Sequence, residues 1–213
     1  MRALLVVALA ASSLGAQDVR LASRLDAPTQ AAVLRLIGVA RSRGLPTEPL
    51  VEKALEGATK RAPREAIERA LTRRLDRLQS SREALGTAAS DADVAAGATA
   101  LEVGVPADAI RELRAIRPTR SVAVPLAVLA ELVAHGVPVA RASQMVAVLM
   151  RRGATEGQLV ALGRDVQGDI ATGASPEAAL DVRTRYLVAM LPVPGAANGL
   201  VNTAVPVDPP RKP

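Results

Sequence analysis

The stretch HGVPVARASQMVAVLMRRGAT, residues 135–155, holds one complete helix between two breaks. The breaks are Gly136-Val137-Pro138 and Gly153-Ala154-Thr155. A glycine directly after a helix can take the left-handed conformation that satisfies the last carbonyls. A proline just inside the next helix has its φ already set and lacks only an amide that would have no helical partner. The distance from Gly136 to Gly153 is 17 residues, which fits one helix of about three turns plus a tight turn.

The same break recurs along the chain, which predicts a helical repeat. The first position of each break, which we call the glycine slot, is a glycine in all but one case. In Arg61-Ala62-Pro63 an arginine stands there. Thr155 with Gln158, and Ser90 with Asp93, have the three-residue spacing of helix N-terminal capping pairs. The further glycine-containing breaks are Gly44-Leu45-Pro46, Gly104-Val105-Pro106 and Gly173-Ala174-Ser175-Pro176.

Apolar residues between the breaks follow a helical period, as Ile67, Leu71, Leu75 and Leu78 do. We therefore predict an all-α fold of short helical hairpins, stacked as an irregular bundle or a small solenoid. Gly57 lies inside a predicted helix, where it costs about 1 kcal/mol relative to alanine and would permit a close helix contact. The expected helices are 27–43, 47–60, 63–85, 90–103, 106–115, 121–135, 138–152, 155–172 and 176–191.

The composition restricts both the core and the chemistry. The 213 residues include no Phe, no Trp and no Cys, and one Tyr, Tyr186. The core must be aliphatic, and the lack of aromatic rings argues against binding of single-stranded nucleic acid by base stacking. Without cysteine the chain has no disulfide, thiolate zinc site, cysteine nucleophile or lipoprotein anchor. The formal net charge of +6 permits weak attraction to anionic polymers or membrane surfaces.

The N-terminus predicts export. Arg2 is followed by the apolar run ALLVVALAA and the small residues SSLGA, which is the pattern of a signal peptide, 1–16, cleaved after Ala16. We expect a periplasmic or secreted protein without a transmembrane segment. Residues 17–191 form the predicted helical domain, with a soft boundary near 117, where the chain reads IRPTRSVAVP. The proline-rich tail, 192–213, is expected to be disordered.

No catalytic, metal or cofactor site is predicted. The only histidine, His135, has Glu131 one helical turn before it and Ser143 across the turn, but its place in a last helical turn favours a capping role. The acidic residues Asp91, Asp93 and Glu102 lack the spacing of a calcium loop, and Asp165 with Asp169 fits a solvated helix face. The chain has neither the glycine-rich phosphate loops nor the nucleophile-elbow motif.

A row of arginines on the third predicted helix is the best candidate for a binding surface. Such a row could contact phosphates or acidic glycans. Because Glu65, Asp76 and Glu83 interrupt it, a solvated, ion-paired helix face is the favoured interpretation. The predicted anion-binding residues are Arg69, Arg73, Arg74, Arg77 and Arg82.

Three stretches carry a resemblance to other proteins. They are GLPTEPLVEKALEGATKRAP (44–63), HGVPVARASQMVAVLMRRGAT (135–155) and the region DV-GDI-GASPEAAL (165–180). Together they resemble exported all-helical proteins of GC-rich bacteria whose activity is not known. The resemblance implies an all-helical exported protein and supplies no activity and no site residues.

Three functions follow as hypotheses. The first is a non-enzymatic, exported interaction or scaffold module that binds a protein or envelope component. The second is a binder of anionic envelope polymer or of a membrane surface through the basic helix, and the third is an enzyme that uses carboxylates in a groove between helices. No nucleic acid is expected as a partner. The identity of the partner and the oligomeric state are left open by the sequence.

Overall fold

The structure, a computed structural model, describes residues 19–191, and within that range it contains helices and no strand. A short helical segment at residues 19–22 precedes the longer helices. The predicted signal peptide and the predicted disordered tail lie outside the described residues. The longer helices are α1 (Ala27–Ser42), α2 (Glu48–Thr59), α3 (Arg64–Leu85), α4 (Asp91–Glu102), α5 (Ala107–Ile116), α6 (Ala123–Ala134), α7 (Val139–Arg151), α8 (Glu156–Ala171) and α9 (Pro176–Met190).

Six of the turns between these helices share one geometry. The residue in the glycine slot has a positive φ, from 52° at Arg61 to 104° at Gly173. Its amide donates to the carbonyl three residues earlier, and the next amide donates to the carbonyl five residues earlier, as Val137 does to Leu132 at 3.1 Å. This pair of bonds is the Schellman motif, which closes a helix end. The slot residues are Gly44, Arg61, Gly104, Gly136, Gly153 and Gly173.

The residue after the slot explains why each break has an apolar second position. Leu45, Val105, Val137 and Ala154 are all buried. A Schellman turn points this residue back at the end of the helix it closes. Each of these four breaks therefore ends a helix and adds one side chain to the core, and at the other two breaks Ala62 and Ala174 are partly buried against it.

Three helices begin one residue later than expected, directly after the proline instead of at it. Pro63, Pro106 and Pro138 are the N-cap residues of α3, α5 and α7, whereas Pro176 is the first residue of α9 as predicted. An N-cap residue has an extended backbone and already accepts the first helical bond. Proline fits this position because its fixed φ is compatible with extended backbone and the cap amide is not needed. The carbonyl of Pro138, for example, accepts from the amide of Ala142 at 2.9 Å.

Apart from α2, which packs on α1 and α3, the helices stack in two rows, each helix against the one after next in the chain. In one row α1 packs on α3, α3 on α5, α5 on α7 and α7 on α9. In the other, α4 packs on α6 and α6 on α8. Pairs such as α3 with α4 and α8 with α9 join the two rows. This confirms the predicted all-α stack of hairpins.

One apolar core runs through the stack, from Leu21 to Leu191, and it includes residues on both sides of position 117. Helix α4, which precedes that position in the chain, and α6, which follows it, pack directly on each other. The soft boundary near 117 stays a prediction about whether the two halves fold separately.

Two glycines inside helices lie where neighbouring helices approach closely. A Cβ on Gly57 would lie 2.8 Å from Cγ1 of Ile67, which confirms the close contact expected there. A Cβ on Gly97 of α4 would lie 2.2 Å from the hydroxyl of Ser81 in α3. These two positions let α2 and α4 pack tightly against α3.

At the turn between α6 and α7, two substitutions test whether Gly136 or His135 contributes more to stability. Gly136 has a φ of 89°, and a Cβ there would lie 3.4 Å from Cγ of Pro176. Nδ1 of His135 donates to the carbonyl of Glu131 at 2.8 Å, the capping role expected from the sequence. We expect Gly136→Val to lower the free energy of unfolding by about 1 kcal/mol or more and His135→Gln to leave it nearly unchanged, as measured by urea denaturation. Equal effects of the two substitutions would contradict this interpretation of the turn.

Candidate interaction surfaces

The arginines predicted to form an anion-binding surface divide into two groups. Arg69, Arg73 and Arg77 are exposed and make no hydrogen bond or ion pair with any other residue in the range 19–191. They lie four residues apart, so they form one row along the outer face of α3. These three side chains are available to an external anion.

Arg74 and Arg82 are instead used by the fold. The guanidinium of Arg74 donates to Glu102 at 3.0 Å and to the hydroxyl of Thr99 at 3.1 Å, which links α3 to α4. The guanidinium of Arg82 donates to the carbonyl of Ala89 at 2.6 Å and to that of Gly44 at 3.2 Å. Both side chains are more than four-fifths buried. Because these contacts within the protein occupy Arg74 and Arg82, the two side chains are not available to the predicted anion-binding surface.

A groove runs beside the arginine row. Between α1 and α3 a hollow of about 570 Å³ is lined by residues that include Arg35, Ser42, Glu68 and Thr72. A second hollow, of about 410 Å³, shares Glu68 and Thr72 with the first and continues along α3. We call the two together the α1–α3 groove. The second hollow is lined by Glu65, Glu68, Arg69, Thr72 and Arg73.

The far end of the stack carries an exposed apolar surface. Val160 of α8, and Val182, Tyr186 and Met190 of α9, are each more than half exposed. The only other large apolar side chain so exposed in the described part of the chain is Val19. Since Val182, Tyr186 and Met190 are spaced by four residues, they form one stripe on α9. We call these three residues of α9 the apolar end face.

A cleft between α8 and α9 adjoins this face. It has a volume of about 180 Å³ and is lined by Ala161, Leu162, Tyr186, Leu187 and Met190, with Gln158, Asp165 and Arg183 at its polar edges. The guanidinium of Arg183 is held by both carboxylate oxygens of Asp169, at 2.6 and 2.7 Å. This pairing lowers the pKa of Asp169 and raises that of Arg183. The cleft is large enough for one medium-sized apolar side chain, since a cavity of about 150 Å³ accommodates benzene.

The most buried ionisable group in the described part of the chain is Asp93, and its oxygens are fully occupied. Oδ1 accepts from the hydroxyl of Ser121 and the amide of Val122, both at 2.8 Å. Oδ2 accepts from Arg114 at 2.9 Å and from the amide of Ser90 at 3.2 Å. Burial alone would raise the pKa of Asp93, but these hydrogen bonds outweigh it and lower the pKa to about 2. The cluster holds the α5–α6 loop against α4 and leaves no oxygen free for a ligand.

A hollow of about 640 Å³ lies next to that loop, where Arg117 and Arg120 face the start of α8. The buried guanidinium of Arg117 donates to the carbonyl of Ala154 at 2.8 Å and lies 3.8 Å from a carboxylate oxygen of Glu156. Arg117 therefore ties the α5–α6 loop to the α7–α8 turn.

Within residues 19–191, no group of three or more His, Asp or Glu side chains comes close enough together to hold a metal ion. None of the helices in that range is both long and apolar enough to cross a membrane.

No protein-family model, curated protein or solved structure matches the chain. The resemblance to exported helical proteins stays a prediction.

Sequence reasoning missed the apolar end face, although a signal for it was present. The four-residue spacing of Val182, Tyr186 and Met190 places them on one side of α9. The spacing shows that the three residues share one face of the helix. Whether another helix covers that face depends on where the stack ends, which the spacing does not show. The α1–α3 groove was missed for the same reason, because Arg35 meets the α3 row only through tertiary packing.

Proposed function

We propose that the protein is an exported, non-enzymatic interaction module whose last hairpin, α8–α9, binds an apolar segment of a partner protein. The apolar end face is the observation that supports the proposal. Helices α1 and α3 to α7 each pack against the helix two further along the chain, whereas α8 and α9 have no such helix after them in the described residues. Contiguous exposed apolar side chains on a water-soluble surface commonly mark a binding site.

The chemistry of the face favours a protein partner with apolar side chains. Tyr186 and Met190 border the cleft between α8 and α9. Aromatic residues and methionine are enriched in the cores of protein interfaces, and methionine adapts its shape to a partner. The charged residues Asp165 and Arg183 at the edge supply polar groups for a rim. A partner helix or extended peptide could place one apolar side chain in the cleft and cover the stripe beside it.

The test is affinity capture from the native envelope fraction with three versions of the protein. These are the wild type, the double variant Tyr186→Ser/Met190→Ser, and Val19→Ser, which removes an equally exposed apolar side chain far along the chain. All three should fold alike, because the replaced side chains are mostly solvated. We expect a protein that is retained by the wild type and by Val19→Ser, and that is lost from the double variant.

Three outcomes would contradict the proposal. The first is the failure to capture any protein with the wild type. The second is capture of the same proteins, in the same amounts, by the double variant. The third is a partner that the double variant retains and Val19→Ser loses, because this would place the interface away from the last hairpin.

A further inference from the structure

The α1–α3 groove lies at the opposite end of the chain from the apolar end face, and its charge is not balanced. Arg35, Arg69 and Arg73 line it, are exposed, and make no ion pair with another described residue. The groove's two carboxylates belong to Glu65 and Glu68, and both lie near Arg64, at 3.3 and 3.5 Å. The lining thus has three arginines, none paired within residues 19–191, against two glutamates that Arg64, outside the lining, already neutralises in part.

The spacing of the free arginines selects for a repeating anion. Arg69 and Arg73 are one helical turn apart, which places their backbones about 6 Å apart along the axis. Arg77 continues the same row by another turn, beyond the lining of the groove. A small anion would meet one guanidinium group, whereas a linear polyanion could meet two or three in succession. Because guanidinium is planar and always charged, it pairs well with carboxylate and phosphate groups.

Beside its apolar residues, the uncharged lining of the groove has two hydroxyl groups that can bind sugar hydroxyls. The hydroxyl of Thr72 donates to the carbonyl of Glu68 at 2.9 Å, and that of Ser42 donates to the carbonyl of Val39 at 2.9 Å. Each of these oxygens keeps lone pairs that can accept a hydrogen bond from a sugar hydroxyl. The only aromatic side chain of the whole sequence is Tyr186, which lies on α9. The groove therefore offers no ring on which a nucleobase could stack, although stacking supports most binding of single-stranded nucleic acid.

We propose that the α1–α3 groove binds a linear acidic polysaccharide, with Arg35, Arg69 and Arg73 pairing its anionic groups and Thr72 and Ser42 accepting from its hydroxyls. This site is independent of the apolar end face, since the two share no residue. A protein with both would hold an apolar partner at one end of the stack and an acidic polymer at the other.

The test measures binding of a fluorescently labelled polygalacturonate oligosaccharide to the purified protein by anisotropy, over a series of salt concentrations. Binding that depends on ion pairs weakens as salt rises. We expect Arg69→Gln and Arg73→Gln each to weaken binding roughly two- to fivefold, as for loss of one exposed ion pair. Each should also reduce the slope of log affinity against log salt by up to about one. Arg73→Lys, which keeps the charge, should retain most of the slope.

The matched control is Arg185→Gln on α9. Arg185 is exposed like the groove arginines, and within residues 19–191 its guanidinium donates only to the carbonyl of Asp181 in its own helix. We expect this variant to bind the oligosaccharide as the wild type does. Equal weakening by Arg185→Gln and Arg69→Gln would show that binding depends only on the net charge of the protein, which overturns the proposal. Binding that does not respond to salt would also overturn it.

Two competing ligands complete the test. These are vesicles that contain phosphatidylglycerol and a single-stranded oligothymidylate, each measured with the wild type and Arg69→Gln. Weaker binding of both than of the oligosaccharide supports the proposal. Tighter binding of either, with the same dependence on Arg69, assigns the groove to a membrane or a nucleic acid and overturns it.

Discussion

Replacing Asp93 by alanine is expected to lower the free energy of unfolding by about 3–5 kcal/mol, the range seen when one partner of a buried ion pair is removed. The side chain of Asp93 is 4% exposed and that of Arg114 is 17% exposed, so the remaining guanidinium would stay largely buried without its partner. The amides of Ser90 and Val122 would also lose their acceptor. Urea denaturation followed by circular dichroism measures the loss.

Gln158→Ala is the matched control for this prediction. Gln158 is the third residue of α8 and accepts from the amide of Thr155 at 2.8 Å, just as Asp93 does from Ser90 at the start of α4. Its loss removes the same capping bond without touching a buried network, so we expect a cost of about 1 kcal/mol or less. In a double-mutant cycle, Asp93→Ala with Arg114→Met should cost less than the sum of the single changes. Equal costs for Asp93→Ala and Gln158→Ala would show that the network adds nothing beyond the cap.

The lowered pKa of Asp93 predicts that the free energy of unfolding depends on pH. The pKa of Asp93 falls from an ordinary 3.8 to about 2 in the folded protein. The folded state therefore favours the ionised form, and the stabilisation is complete above about pH 4. It is lost as the pH falls toward 2, and the difference in pKa corresponds to about 2 kcal/mol.

Asp93→Asn isolates this contribution, because other carboxylates titrate over the same range. Glu56 is one of them, since hydrogen bonds from Lys60 and Lys53 lower its pKa to about 2. The difference in unfolding free energy between wild type and Asp93→Asn should shrink between pH 4 and pH 2. A difference that stays constant over that range would contradict the assigned pKa.

The parts of the fold that the sequence predicts well are those that depend on neighbours in the chain. A Schellman turn needs a residue with positive φ and an apolar residue after it, and both are visible in Gly136-Val137 or Gly153-Ala154. The capping pair of Ser90 and Asp93 is likewise confirmed, because its two bonds span three residues.

The parts that it misses depend on residues far apart in the chain. Asp93 meets Arg114 and Ser121 across 21 and 28 residues, and no local pattern marks that meeting. The same holds for the predicted arginine surface. Arg73 and Arg74 are adjacent in sequence, yet Arg74 is taken up by Glu102 of α4 while Arg73 faces solvent. Only the packing of α3 on α4 decides which of two neighbouring arginines remains available to a ligand.

Gly97→Val is expected to destabilise the protein by about 3 kcal/mol or more, at the upper end of the cost of overpacking a core. Even the first added carbon would lie 2.2 Å from the hydroxyl oxygen of Ser81 and 3.3 Å from both Cβ of Ser81 and Cδ1 of Leu85. Ser81 is fully buried, so its side chain cannot turn out to solvent. Helices α3 and α4 would have to move apart, which disturbs the core that they share with α6.

Gly97→Ala separates this crowding from the intrinsic preference of glycine. Alanine gains about 1 kcal/mol over glycine inside a helix, so the observed loss should be smaller than for valine. At Gly38 in α1 and Gly168 in α8, where a Cβ would meet nothing within 4 Å, the same change should stabilise the protein. Thermal unfolding of the three alanine variants should therefore place Gly97→Ala below the wild type and the other two above it.

Ser81 supplies the decisive second variant. Its hydroxyl is buried and has no hydrogen-bond partner among the described residues, so Ser81→Ala should be neutral or stabilising. It also removes the atom nearest to the new Cβ, so the cost of Gly97→Ala should fall by 1 kcal/mol or more in the Ser81→Ala background, about the coupling expected of residues in contact. An undiminished cost would mean that the clash with Ser81 is not what makes glycine necessary. In that case the close approach of α3 and α4 would have to be explained by Leu85, the other side chain within reach of the added carbon.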